Sequence, residues 1–339
     1  MNRHVHLVIP DLLLPTEIAA RAGAGLQLPA LEKILACATS AALAQNSLES
    51  WLCQAFGVAG QAVAPVTLQA DGMAPGTHYW LRADPVHLEL AHDQLLLLPA
   101  LPVSGQEAAQ MCAALNEHFA AESLHFVAPH PQRWYLRLEC DPQLVTFPLA
   151  RVAGRNMRHF LPQGEQRLHW HRILNEIQML LFAHPLNQLR AQRGAMEIGG
   201  LWLWGGGHGG APLQQPASRL YTDSPLAAAF ATVAGIDAAP LPADAGECIA
   251  QCAADKVLVV WDGLRGALQH EDFVAWRSSL QRLERDCLSP LWRALVEGRI
   301  DRITLDALQE SGAQRYMLRR GDRWKFWRRR RPLEHYALV

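Results

Sequence analysis

The sequence predicts an α/β fold with a mostly parallel central sheet. Two observations carry that expectation. Short apolar runs at Val5–Ile9, "KVLVVWD" (256–262) and "DRITLD" (301–306) have the pattern of buried strands. Between and around them lie segments with helical spacing of apolar residues, so strands and helices alternate. A chain of 339 residues is long enough for two domains, or for one with an insertion.

Each element has a local reason. Ala30–Ala38 and Ser47–Phe56 read as helices, the second with Leu48, Leu52 and Phe56 four residues apart. "HYWLRA" (78–83), "DQLLLLP" (93–99) and "RWYLRLE" (133–139) read as strands. Between the last two, Ser104 with Glu107 forms a capping box that opens a helix carrying Met111, Leu115 and Phe119 on one face. Residues 84–150 therefore read as an inserted α+β subdomain. Residues 1–83 and 151–339 read as the α/β core.

Glu165–Ala183 is an amphipathic helix with Trp170, Ile173, Leu174, Ile177 and Leu181 in one stripe. Ser224-Pro225 starts a helix that Gly235 ends. Phe273, Trp276, Leu280, Leu283 and Cys287 mark a long helix, and Ser289-Pro290 opens another that Gly298 closes. Leu201–Trp204 is an apolar run that is expected to join the central sheet.

Composition narrows the function classes. Half of the residues are apolar, 19% are charged and the formal net charge is −1, so the whole chain is not a polyanion binder. Seven scattered cysteines without a C-x-x-C pair read as thiols in a reducing cytoplasm. "MNRHVHLVIPDLLLP" does not read as a signal peptide, and no apolar run is long enough to span a membrane. The expected localisation is cytoplasmic. The histidines of "HWH" (169–171) fall two apart on a helix and face different ways, which reads as surface or packing rather than metal binding.

The stretch "GGLWLWGGGHGG" (199–210) raises a sharper question. Gly205, Gly207 and Gly210 match the G-x-G-x-x-G spacing of a dinucleotide turn. Such a turn needs a helix directly after the last glycine, to receive the pyrophosphate. Here "APLQQPASRLYTDSP" follows, with prolines where that helix would start. The glycines therefore read as a place where the backbone comes close to something else.

The wider stretch "LLFAHPLNQLRAQRGAMEIGGLWLWGGG" resembles the archaeal-type cofactor-independent phosphoglycerate mutases. The match falls on His184, Pro185, Asn187, Arg190, Gly194, Trp202, Trp204, Gly205 and Gly207. "LQLPALEKILACA" (26–38) and the segment from Ser104 to Leu138 are similar to further parts of that family. The likeness is nearest to a bacterial group described as phosphoglycerate mutase-like or Rpf-type regulatory proteins. It implies an alkaline-phosphatase-like sandwich, and a cleft in which Asn187, Arg190, Gly205 and Gly207 would meet a small anionic ligand.

Those mutases use two divalent metals, held by an Asp after the first strand, a D-x-x-x-H pair, a later Asp-His and a further His, around a Ser or Thr nucleophile. Metals there neutralise the transferring phosphoryl group. In this chain the implied ligands are Asp11, Asp262 and His270, with Asp306 at the later position. The spacing from Asp262 to His270 is eight, Ala307 replaces the expected His, and Thr16 is the early hydroxyl. His335 is the only late histidine. Strand-end aspartates also serve as turn and capping residues.

Residues 315–331, "RYMLRRGDRWKFWRRRR", carry nine Lys or Arg and one Asp. Arg320-Gly321-Asp322 is a turn signal, so the segment reads as a basic hairpin with Tyr316, Leu318, Trp324 and Phe326 on one face. Arg328, Arg329, Arg330 and Arg331 then suit a nucleic acid or an acidic partner, or form a solvated edge. The leading functional reading is a degenerate mutase-like protein that has lost its bimetal centre, needs no cofactor and acts in regulation or binding. One alternative is a metal-dependent (Mn, Zn or Mg) mutase or phosphatase with rearranged ligands. The other is a nucleic-acid-associated factor acting through the tail.

Overall fold

The computed structural model describes residues 3–91, 93–99, 101–325 and 327–336. Twelve strands are present among them: β1 (His4–Pro10), β2 (Thr39–Leu43), β3 (Tyr79–Ala91), β4 (Gln94–Leu98), β5 (His125–His130), β6 (Arg133–Leu138), β7 (Gly200–His208), β8 (Arg219–Thr222), β9 (Asp237–Ala239), β10 (Lys256–Val260), β11 (Arg302–Gln309) and β12 (Gly312–Arg319). They form two sheets in two compact units. One unit holds the residues up to 57 and from 213 onward, and the other holds 58–212.

The first unit is built on a seven-stranded sheet in the order β2-β12-β11-β1-β10-β8-β9. β11, β1, β10, β8 and β9 run parallel, and β12 and β2 add antiparallel strands at one edge. Alternation along β1 sets the two faces. Val5, Leu7 and Ile9 enter an apolar layer with Leu31, Ile249, Leu280 and Leu291 from the helices on that side. On the other face His6 meets Trp51 of helix Leu48–Ala55, and Phe56 packs edge-on against Phe230 at 5.4 Å. The expected α/β class with a mostly parallel centre is the observed one.

The second unit is an antiparallel sheet in the order β4-β3-β6-β5, with β7 paired to β3. Helices Gly105–His118 and Arg167–Ala183 supply Met111, Leu115, Trp170 and Ile177 to one face. Helix Val63–Ala70 supplies Ala64 and Leu68, which pack with Trp80 and Tyr135. The capping box forms as read: Ser104 Oγ accepts from the Glu107 N–H at 3.2 Å, and Glu107 Oε2 accepts from the Ser104 N–H at 2.8 Å.

Two expectations need correction. Leu201–Trp204 does not join the parallel sheet, because β7 pairs antiparallel with β3 from Gly200↔Val86 to His208↔Tyr79. The compact unit around the expected insertion accordingly runs over 58–212 rather than 84–150. The tail does not form a hairpin about Arg320-Gly321-Asp322 either. Tyr316 and Leu318 lie on β12, which pairs with β11 across a turn at 310–311, while Arg320–Trp324 is a short 3-10 turn. Phe326 lies outside the described residues.

Candidate functional site

In an open parallel sheet, ligands meet the loops at the carboxyl ends of the strands. Asp11 follows β1 and Asp262 follows β10, so both carboxylates belong to that edge. Asp11 has φ 62°, a conformation that Asp tolerates better than most residues. Its N–H donates to the Leu308 carbonyl at 2.8 Å, and its carbonyl accepts from Trp276 Nε1 at 3.2 Å. The backbone is therefore held on both sides.

The cation facing these carboxylates is an arginine. The Arg265 N–H donates to the Asp262 carbonyl at 3.1 Å, which turns the chain directly after β10. The Arg265 guanidinium lies 3.2 Å from Glu49 Oε1 and 3.7 Å from Asp11 Oδ2. Glu49 is 3% exposed. Burial by itself would lower the Arg265 pKa. Glu49, Asp11 and Asp262 together override it and raise the pKa above the ordinary arginine value. One fixed positive charge thus serves three acidic groups.

Asp306 repeats the arrangement inside the sheet. It lies within β11, opposite Val8 and Arg315, rather than at the strand end. Its side chain is fully buried and accepts from Arg315 Nε at 2.7 Å, Arg315 Nη2 at 2.6 Å, Trp51 Nε1 at 2.7 Å and His6 Nε2 at 2.8 Å. Burial would raise its pKa, but hydrogen bonds from Arg315 and His6 hold the carboxyl at about 2. Both oxygens are engaged, which leaves this carboxylate little capacity to ligate a metal.

The remaining metal expectations do not converge. His270 is exposed at the end of the turn Arg265–Gln269. Thr16 opens helix Thr16–Gly23, and His335 is exposed in the turn Leu333–Tyr336. His171 Nε2 lies 2.9 Å from the Pro162 carbonyl. Among the described residues, no three His, Cys, Asp or Glu side chains are grouped to hold a metal ion. Two ions need about five to eight hard or borderline ligands. The donors at this edge do not fit a bimetal centre.

The residues expected to meet an anion have partners within the chain. Asn187 is buried; its Nδ2 donates to the carbonyls of Leu181 and Ile198 at 2.7 and 2.9 Å, and its Oδ1 accepts from the Ile198 N–H at 2.9 Å. Arg190 donates to the carbonyls of Met196 and Pro102 and to Glu107 Oε1 at 2.9 Å. These side chains hold the loop between helix Pro185–Gln192 and β7. Gly205 and Gly207 serve another contact. Both lie in β7, where a Cβ on Gly207 would collide with Ala62 and one on Gly205 would sit 3.0 Å from the Val63 Cβ. The glycine cluster lets helix Val63–Ala70 approach the strand; it is a packing device rather than a phosphate turn.

A cleft of about 270 Å³ opens beyond β8 and β10. Trp261, Val259, Leu283 and Cys287 give it an apolar lining, with Asp223 and Arg282 as exposed charges. Burial pushes the Cys287 thiol up to about 12, so it is not a nucleophile at neutral pH. Next to it, Glu284 begins a π-helical turn and caps helix Pro29–Cys37 by accepting from the Ala30 and Leu31 N–H groups at 2.6 and 3.0 Å.

Sequence reasoning passed over Arg265, Glu49, Trp51 and His6. The available signal was Arg265 itself, three residues after Asp262 in "WDGLRG".

No protein-family model and no curated protein matches the chain. Among solved structures, the PH0037 protein from Pyrococcus horikoshii is similar in fold. It shows 12% identity and a TM-score of 0.54, over 94% of this chain and 88% of that one. A cofactor-independent phosphoglycerate mutase from Thermoplasma acidophilum aligns over 95% of this chain and 90% of its own, with 12% identity and a TM-score of 0.48. The chain shares its fold with the Pyrococcus horikoshii structure, and its first unit has a mostly parallel central sheet between helices.

Proposed function

We propose that this chain is a phosphoglycerate mutase-like protein that works by binding, in a regulatory role, and not by phosphoryl transfer. The observation that supports the reading is the pairing of carboxylates with arginines: Asp11 after β1 and Glu49 of helix Leu48–Ala55 with Arg265, and Asp306 within β11 with Arg315. A phosphotransfer centre needs mobile positive charge that can coordinate the reacting oxygens. A guanidinium fixed between carboxylates neutralises them but offers no open coordination position.

The cleft beside Trp261 is the place for a small ligand in this reading, with Arg282 as the cation that a carboxylate or phosphate would meet. The test is mutase and phosphomonoesterase activity with added Mn²⁺, Mg²⁺ or Zn²⁺. Turnover is expected to stay at background with each ion. Metal-stimulated turnover that Asp11→Ala removes would overturn the proposal.

A further inference from the structure

The tail separates into a docked half and an outward half. Arg328 Nη1 donates to the carbonyls of Ala38 and Ala36, at 2.8 and 3.3 Å, at the C-terminus of helix Pro29–Cys37. Arg323 donates to the Val296 carbonyl near the end of helix Ser289–Glu297. Lys325 pairs with Asp322 at 2.7 Å, and Arg315 is committed to Asp306. Cations at helix C-termini satisfy orphan carbonyls and meet the negative end of the helix dipole. These residues fix the segment on the body of the first unit.

Other side chains of the segment are exposed. Arg329, Arg330 and Arg331 are exposed, and no ion pair ties them among the described residues. Glu32 feels Arg330 through space. Trp324 and Trp327 are 65% and 66% exposed, and the Arg323 guanidinium lies 5.0 Å from the Trp324 ring centroid. Residues 315–331 carry a formal charge of +8 in a chain of net charge −1. The rest of the chain is acidic, so this cationic surface is local and short.

We propose that Trp324, Trp327 and Arg329–Arg331 form a binding surface for single-stranded nucleic acid. Two exposed indoles within four residues suit stacking of unpaired bases, which every base offers and a duplex hides. Three consecutive arginines suit the phosphates of the same strand, because the guanidinium fork matches phosphate oxygens. An anionic membrane surface is less well matched. The tryptophans sit on short turns, and a helix with a continuous apolar face is the usual interfacial element. Arg328, grouped with the other three in the sequence, belongs to the dock and not to the surface.

The experiment is fluorescence anisotropy of labelled oligo-dT and oligo-rU of about 15 nucleotides with the full chain, over a salt series. Three neutralised phosphates on a single strand give a log–log salt slope of about −2, or about a 20-fold loss of affinity between 50 and 200 mM salt. Changing Arg329, Arg330 and Arg331 to Ala together should bring that slope near zero. Trp324→Ala and Trp327→Ala should each weaken binding about tenfold and leave the slope unchanged. Arg329, Arg330 and Arg331 are exposed, so the melting temperature of the triple variant should match the parent chain. Absence of binding at 50 mM salt overturns the proposal. So does equal or tighter binding to a duplex of the same length, or to phosphatidylserine vesicles. Tryptophan variants that bind like the parent overturn it as well.

Discussion

Replacing Arg315 by Met tests how much the buried carboxylate depends on its arginine. The substitution keeps most of the aliphatic stem and deletes the guanidinium. Asp306, with no exposed surface, would lose the bonds of 2.7 and 2.6 Å and keep only Trp51 and His6. Breaking a buried ion pair by removing one partner costs about 3–5 kcal/mol. Arg315 is 34% exposed, which screens part of the attraction and places the expected loss near the lower end, about 3 kcal/mol. For a unit of this size that corresponds to a fall in melting temperature of roughly 6–12 °C. Urea unfolding at pH 7 should show the loss as a lower midpoint with an unchanged slope. The double variant Asp306→Asn with Arg315→Met should regain much of it, because no buried charge is left unpaired. A loss below about 1 kcal/mol for Arg315→Met would refute the reasoning, since that is the scale of a surface pair.

Two further outcomes follow from the same geometry. Burial, with His6 and the cations Arg302, Lys256 and Arg315 nearby, depresses His4 from 6.5 to about 4. Between those values the unfolded chain binds a proton that the folded chain does not, so stability should fall as pH drops from 6.5 to 4, by roughly 2 kcal/mol after allowing for partial exposure. Asp306, held at about 2 against an ordinary 3.8, adds a second loss only as pH falls below about 4. Thermal melts across pH should show both stages, and His4→Gln should flatten the first alone. Gly207→Val forces a side chain against Ala62 and should destabilise the second unit by about 2–3 kcal/mol in urea melts. Gly312→Ala, which meets nothing within 4 Å, should be neutral.

The parts legible in the sequence were those set by local physics. β1, β10 and β11 show as compact apolar runs, and the Ser104 box and the glycines at 235 and 298 mark helix ends; both glycines adopt positive φ. An apolar run buried on both faces looks the same in a parallel and an antiparallel sheet, so nothing local places Leu201–Trp204 beside β3. The alternation at Tyr316 and Leu318 pairs with β11 before it, not with the residues after Arg320, and nothing in the local pattern distinguishes the two. Asn187 and Arg190 have the residue types of an anion site. Only the tertiary structure shows them spent on Leu181, Ile198, Met196, Pro102 and Glu107. The partners of Asp11 and Asp306 are likewise tertiary: Glu49 and Arg265 are 216 residues apart in sequence, and Trp51 and Asp306 are 255 apart.

The central proposal is that the pairing of Asp11 with Arg265 and of Asp306 with Arg315 leaves this chain without a bimetal centre. Metal content of the purified full chain, measured after growth with manganese and zinc and again after titration with Mn²⁺, tests it most directly. Well under two ions per chain are expected, with no change on Asp11→Ala or Asp262→Ala. Stoichiometric binding of two ions that either substitution abolishes would contradict it.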